Sequence, residues 1–488
     1  MIEKIWSFIK AIPWAVYKYL LTLVSMFRTN IRDYGMFIAL IVIFIVFGFM
    51  TSWIFLGPFN FTNLLNQTAY VAVLAVGMTL VIVTRQIDLS VGYIGAFLGA
   101  YVVVAVENGG PIYDMLPQNF IVLWAILGAL AITVFVGIVK GFFIAKVKVP
   151  AFVVTLAGMF IFKGLLMFKT NNRTISTTND FFIKVGTGYL PTYEVGDYDL
   201  ITIIIGSALV LFTIVKGFLG RKKSVKLGIP TEKIELFITK LILLASVIGY
   251  LTYAFSANKG ISYLLLITIA VVGIYQFLTT QTTLGRRIYA VGGNPDAAEL
   301  SGISVERILI IVFISMGVLA MISGVMYASR LGNTSPKHGP FWELYAIAAA
   351  FIGGTSASGG VGKVVNAVVG AIVIMSLKNG MALAGIDANI EPIILGSVLL
   401  LAVVFDIYTR NVRPVDLVGM HYAKREFKVE YLEAKHKFKL AKKELKIARE
   451  ENRKDLINFE YEYTNAQGAY NKIRDMIRVS TEEDFITE

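Results

Sequence analysis

The sequence predicts an all-α, polytopic membrane protein of about 10–12 transmembrane helices, some discontinuous, with a C-terminal helical extension. Three observations lead there. Hydrophobic residues make up 56% of the 488 residues and charged residues only 16%, against about 45–50% and about 25% in soluble domains. Apolar runs near the ~20 residues that cross a bilayer recur between residues 36 and 408. Beyond Arg413 the composition turns abruptly to Lys and Glu.

Taken in order, residues 5–27 are interrupted by Pro13 and Lys18 and carry Trp6 and Trp14, which suits an interfacial helix better than a span. No small-residue cleavage site follows a short apolar core there, so a removable signal peptide is not expected. Spans are expected at 36–56, 69–84, 91–106, 120–139, 150–168, 200–215, 237–255, 261–278, 308–328 and 392–408. Between the last two lie two Gly/Ala-rich runs, 344–351 and 364–377, the first too short to span comfortably alone. The expected organisation is an N-terminal cytoplasmic or interfacial segment (1–33), a membrane domain (34–412) and a charged cytoplasmic tail (413–488).

Charge sets the expected orientation. With the N-terminus inside, inner loops carry nineteen Lys and Arg, Arg85, Lys140, Arg286 and Arg287 among them, against six in outer loops. That bias places both termini in the cytoplasm. In the tail, Tyr431, Ala434, Phe438, Ala441, Leu445 and Ala448 continue a 3-4 spacing that begins at Phe427, the mark of an amphipathic helix. The pattern fails at Asn452 and Asp455 and partly resumes at Phe459, Ala466, Ala469, Ile473 and Met476, so a helical hairpin and a helix lying on a membrane or partner both fit. The chain has no cysteine and three histidines, which removes thiol chemistry, Cys-based zinc sites and disulfides and leaves little for a metal site. No metal, no resident cofactor and no nucleic-acid partner are expected.

Two breaks interrupt the apolar pattern. Residues 86–95 read Q-I-D-L-S-V-G-Y-I-G, placing Asp88 and Ser90 between two spans. A carboxylate at that depth needs a partner or a helix end to cap. Gly92, Gly95 and Gly99 allow close backbone contact on the helix that follows. Cap and packing, or contact with a transported solute, both account for this segment. The second break, G-G-T-S-A-S-G-G-V-G-K at 353–363, also leads into an apolar run. Freed backbone at such breaks often lines a transport path. Its G-G-V-G-K string is not a phosphate loop, because Ala357 and Val364 occupy the positions that need Gly and Ser/Thr. A third segment, 283–307, is long for an inner loop. Asn294 and Pro295 start a short helix there and Gly302 stops it. Ala297, Ala298 and Ser301 are expected to leave a shallow surface for a soluble partner.

The strings I-D-L-S-V-G at 87–92, V-P-A-F-V-V-T-L at 149–156, G-R-R-I-Y-A-V-G-G-N-P-D-A-A-E-L-S-G-I at 285–303 and G-G-T-S-A-S-G-G-V-G at 353–362 resemble the permease subunits of bacterial ABC importers for ribose, xylose and related sugars. The resemblance spans roughly residues 34–410. It looks nearest the xylose type because an extra apolar and basic region, 200–255, precedes the third string. It implies a bacterial inner-membrane subunit without catalysis of its own, working with a cytoplasmic ATPase that binds ATP and Mg, an extracytoplasmic sugar-binding protein, a second permease copy and membrane lipid. Carried over by position, Gly293, Asn294, Ala297, Ala298, Ser301 and Gly302 form the ATPase-coupling helix. Asp88, Leu89, Ser90 and Gly92 lie near the translocation path, with Phe152, Thr155, Gly353 and Gly354. Two departures stand out: Arg85 and Gln86 where relatives often have glycine, and the tail after Arg413. A nucleoside is the alternative solute within this architecture. An ion-coupled transporter is the alternative of another class, which would need intramembrane carboxylates or histidines; Lys163, Lys378 and Asp406 are the main charges expected inside spans.

Overall fold

The computed structural model describes residues 31–107, 117–228, 234–409, 428–451 and 455–487. The expected interfacial helix at 5–27 lies outside these residues. The chain divides into two compact units, one of Gly35–Arg410 and one that takes in the tail.

The helices of the membrane unit are α1 (Ile31–Met50), α2 (Pro58–Val83), α3 (Val91–Glu107), α4 (Gln118–Gly141), α5 (Ala151–Thr170), α6 (Asp180–Thr187), α7 (Leu200–Lys226), α8 (Ile234–Ser256), α9 (Tyr263–Gln281), α10 (Thr283–Gly293), α11 (Pro295–Leu300), α12 (Val305–Leu331), α13 (Trp342–Ile352), α14 (Val364–Leu383) and α15 (Glu391–Thr409). Among the described residues, eight helices are long and apolar enough to cross a membrane, and four shorter apolar helices accompany them, α3 and α13 included. The all-α polytopic class is as expected. The strands are two-residue pairs: β1 (Ile175–Ser176) runs antiparallel to β4 (Asn333–Thr334), and β2 (Glu194–Val195) to β3 (Tyr198–Asp199).

Burial ranks the spans. The apolar stretch of α2 is 94% buried, whereas those of α7 and α8 are 11% and 6% buried, so α2 is the axis and α7–α8 an outlying pair on the surface of the unit. Helix α2 begins eleven residues before the expected span, in a stretch too polar to register as one. Its polar side chains bond sideways: Asn60 and Asn379 exchange amide hydrogen bonds, Asn63 accepts from Arg330, Thr62 accepts from Asn258, and Asn66 accepts from Ser262. Lateral partners remove the desolvation cost that hydropathy assigns to such residues.

Helices in lipid gain little from burying apolar surface against one another, so close packing decides which pairs form. On α3 and α12 the backbones touch at Gly95 and Gly324, where a Cβ added to Gly324 would overlap the Gly95 carbonyl oxygen.

Contacts sort the helix ends into two sets. At one end, rich in Lys and Arg, the end of α2, the end of α10 and residues 353–363 meet: Gly360 N–H donates to Val83 O at 2.9 Å and Tyr289 Oη–H donates to Gly362 O at 2.6 Å. At the opposite end, Thr177 N–H donates to Gly332 O, and Leu190 N–H to Ile261 O. Residues 332–341 leave that opposite end and run inward until Gly339 lies against Gly92 in the first turn of α3. Helix α13 starts there, which explains its eleven residues: it covers only the remaining depth.

The tail is a helical hairpin of α16 (Lys428–Glu450) and α17 (Leu456–Thr487). Ala434, Ala441, Leu445 and Ala448 are buried, Phe438 stacks on Tyr470 at 5.4 Å between centroids, and Arg449 pairs with Glu460 at 2.9 Å. Of the two forms open to the sequence, the self-paired hairpin is the one observed.

The Gly95–Gly324 contact predicts that Gly324→Ala destabilises the detergent-purified protein by about 1–3 kcal/mol, as overpacking does. Gly249→Ala, on α8 with nothing within 4 Å of the added carbon, serves as the control and is expected to hold or slightly raise the melting temperature, because Ala is the better helix former. Equal melting temperatures for the two variants would refute the close-packing account.

Candidate functional site

The first break is residues 84–90. Helix α2 stops at Thr84, and Arg85 takes the left-handed conformation at φ 64°, unusual outside Gly, Asn and Asp. The chain then turns through Ile87–Leu89 into α3. Asp88 is fully buried. Its Oδ1 accepts from Ser90 N–H at 2.9 Å and from Ser90 Oγ–H at 2.5 Å, which closes the turn into the helix. Its Oδ2 accepts from Lys140 Nζ at 2.5 Å, and Lys140 also donates to Ser90 Oγ at 3.2 Å.

Lys140 corrects the sequence reading, which placed it in an inner loop as an orientation signal. It lies in the last turn of α4 at 4% exposure, and the list of charges expected inside spans omitted it. Its counter-charge sits 52 positions away in sequence, and no local pattern links the two. The pair, with its hydrogen bonds, meets the requirement that a buried charge be compensated.

Helix α5 covers this break. Thr155 is fully buried, and its Oγ1–H reaches Ile87 O at 3.4 Å, while Gly158 faces Ser90. Leu89 is half-buried and Gly92 buried. Asp88, Ser90, Gly92 and Thr155 thus lie around one break. Phe152 does not join them; it is 58% exposed on the outer surface of the unit. Gly353 and Gly354 lie at the second break, at the end of α13, with Gly354 at φ 82°.

The two breaks are tied together at the basic end. Arg85 Nε–H donates to Gly292 O at 2.7 Å, and its Nη2 donates to Gly293 O. One guanidinium therefore satisfies two carbonyls at the end of α10 that lack intrahelical partners. Gly292 must be glycine here, since an added Cβ would overlap Val83 O and lie 2.8 Å from Gly360 N. Tyr289 completes the junction by its bond to Gly362 O; burial pushes its phenol pKa up, so the hydroxyl stays a donor at physiological pH. Arg85, read from sequence as a departure from the usual glycine, is the link between the α2 break and the segment leading to α11.

Helix α11 follows at once. Asn294 caps it, its Oδ1 accepting from Ala297 N–H at 3.0 Å, Ser301 Oγ–H donates to Ala297 O at 2.8 Å, and Gly302 leaves at φ 81°. Gly293, Asn294, Ala297, Ser301 and Gly302 are exposed. Ala298 is not part of the outward surface expected of it: it is 5% exposed and faces the body of the unit. The outward apolar side chain is Leu300, 91% exposed, which the sequence reading passed over although it shares the outward face with Ala297. Among the described residues no cluster of His, Cys, Asp and Glu could hold a metal ion.

These features define a multi-pass helical membrane protein, with helix breaks inside and a short capped helix at the basic end. Residues 60–403 match a protein family described as branched-chain amino acid transport system / permease component, and the chain belongs to that family. Among curated proteins it is 38% identical over 380 residues to the xylose transport system permease protein XylH of Haemophilus influenzae, covering 77% of this chain and 96% of that protein. It is 38% identical to XylH of Escherichia coli K12 over 384 residues, 78% of this chain and 93% of that one. To the ribose import permease protein RbsC of Escherichia coli K12 it is 33% identical over 349 residues, 71% and 85% of the two chains. No solved structure matches the chain. The resemblance carried by its motifs therefore holds, and the chain is a permease subunit of the bacterial inner membrane. The family match ends before the tail hairpin.

The Asp88–Lys140 pair yields a double-mutant cycle. Asp88→Asn or Lys140→Met alone leaves one buried charge uncompensated and is expected to cost about 3–5 kcal/mol, whereas the double variant recovers most of that loss. Thermal unfolding of the purified variants checks this; additive losses would show that the two groups do not act as a pair.

Proposed function

We propose that this chain is the permease subunit of an ATP-driven importer that carries a monosaccharide, a pentose such as xylose or ribose, into the cytoplasm. The relatives named for xylose and ribose transport support the solute class. The observation that carries the mechanism is the junction of Arg85 with Gly292 and Gly293, because it joins a protruding helix to both breaks. The basic end faces the cytoplasm by the positive-inside rule, which puts both termini there too. A cytoplasmic ATPase, binding ATP and Mg itself, engages α11 through Gly293, Asn294, Ala297, Ser301, Gly302 and the outward Leu300. Ala298 supports this helix from behind.

Motion of α11 reaches the α2 break through Arg85 and residues 353–363 through Gly292, Gly360 and Tyr289. Asp88, Leu89, Ser90, Gly92 and Thr155, with Gly353 and Gly354 at the second break, border the path that opens. A sugar-binding protein delivers the solute at the opposite end, and a second permease copy completes the channel; Phe152, on the outer surface, faces that copy or lipid. ATP hydrolysis favours whichever arrangement the ATPase binds more tightly. Asp88 is not a free coupling site for the ion-coupled alternative, because Lys140 already neutralises it.

The whole importer, reconstituted in vesicles, is expected to accumulate labelled xylose only with ATP; accumulation by the permease alone would overturn the proposal. Leu300→Asp is expected to lower ATP hydrolysis stimulated by the loaded binding protein by about tenfold, a loss of ~1.4 kcal/mol of coupling. Unchanged stimulation would remove α11 as the docking element. Arg85→Ala is expected to retain hydrolysis but lower the sugar moved per ATP; an unaltered ratio would show that the junction transmits nothing.

A further inference from the structure

Glu343 is a further buried acid of the membrane unit, and nothing described above uses it. It lies in the first turn of α13 at 8% exposure, and its Oε2 is buried without a hydrogen-bond partner. A buried polar atom without a partner is costly, and an intramembrane acid more so. The position is built rather than incidental. Gly92, in the first turn of α3, makes room for it: a Cβ there would stand 2.6 Å from Glu343 Oε2 and 2.5 Å from Gly339 O. The residue that starts α13 from outside, Phe341, is held at φ 67° and offers no side-chain cap.

The residue beside Glu343 supplies a different surface. The Trp342 ring packs against Tyr327 at 4.6 Å and Tyr70 at 4.9 Å between centroids, and Tyr70 lies 4.9 Å from Tyr327. A buried carboxylate oxygen one residue along α13 from this aromatic cluster, with Glu343 Oε2 and the base of the Trp342 side chain both against Gly92, supplies the two kinds of group by which a sugar is held. Its hydroxyls donate to a carboxylate, and its C–H face lies on an aromatic ring.

We infer that Glu343 accepts a hydrogen bond from a hydroxyl of the passing monosaccharide, with Trp342 and Tyr327 providing the apolar wall of the same transient site. Here Trp342 is 4% exposed, so the contact forms when α3 and α13 part. In the resting arrangement Oε2 waits unpaired; the sugar supplies the missing donor, which lowers the barrier at this depth for a polyhydroxylated solute over an apolar one. This inference rests on the sugar-importer reading above.

The test uses the complete importer in vesicles, with purified binding protein and xylose. Glu343→Gln keeps the shape but loses the charged acceptor. Xylose uptake is expected to fall about tenfold or more, while ATP hydrolysis stimulated by the loaded binding protein and the melting temperature of the purified permease stay near those of the unaltered protein. Glu343→Asp, which keeps the carboxylate, is expected to retain more uptake than Glu343→Gln. Undiminished uptake in Glu343→Gln would overturn the inference, as would a joint fall of uptake, hydrolysis and melting temperature in both variants, the pattern of a packing role. Uptake by the permease alone, driven by a pH gradient and lost in Glu343→Gln, would reassign Glu343 to proton coupling. An unaltered importer that moves no monosaccharide would overturn the parent reading and this one with it, whereas failure in the variants alone touches only Glu343.

Discussion

Backbone polar groups have no water to turn to at membrane depth, and that constraint shapes this molecule more than any other. A helix may stop inside the bilayer only where something else in the protein takes over its hydrogen bonds. Here the stop after α2 is met by the amide of Gly360, which donates to Val83 O, and the Arg85 side chain at that stop in turn donates to the carbonyls of Gly292 and Gly293 that end α10. Each interruption supplies the partner that the other lacks. The two breaks are therefore a single structural device, although more than 260 residues separate them in the chain.

The same logic governs charge. Asp88 closes the turn into α3 by accepting from Ser90, and the negative charge left over is met by Lys140 from the end of α4. A buried pair of this kind contributes little net stability against an apolar alternative, but loss of either partner is costly. Its effect is to hold α4 against the α2–α3 turn, in one relative position, next to the junction that leads to α11. The exposed Leu300 then stands at the end of a chain of satisfied contacts rather than on a free loop.

Much of the fold was legible in the sequence because hydropathy and capping are local. Asn294, Pro295 and Gly302 mark α11 to within a residue, since a cap, a first-turn proline and a left-handed exit each act within a few positions. The start of α2 was not legible: Asn60, Thr62, Asn63 and Asn66 look like a loop until their partners on α12 and α14, and in the turn between α8 and α9, are in place. Ala298 and Leu300 were misjudged for a related reason. In a six-residue helix the sequence carries too few turns to show which side meets the protein, and only packing assigns Ala298 inward and Leu300 outward.

What the sequence by itself determined was the membrane, the helical class, the two interruptions, the short capped helix and the family, because all of these reside in runs of adjacent residues and their periodicity. The tertiary structure alone decided that Lys140 is a buried counter-ion and not a loop charge, and that Arg85 is a clasp and not a departure. It alone left Glu343 Oε2 facing Gly92 with no hydrogen-bond partner. Those assignments depend on residues tens or hundreds of positions apart, and a one-dimensional pattern carries no record of which distant group a side chain will meet when helices close on one another.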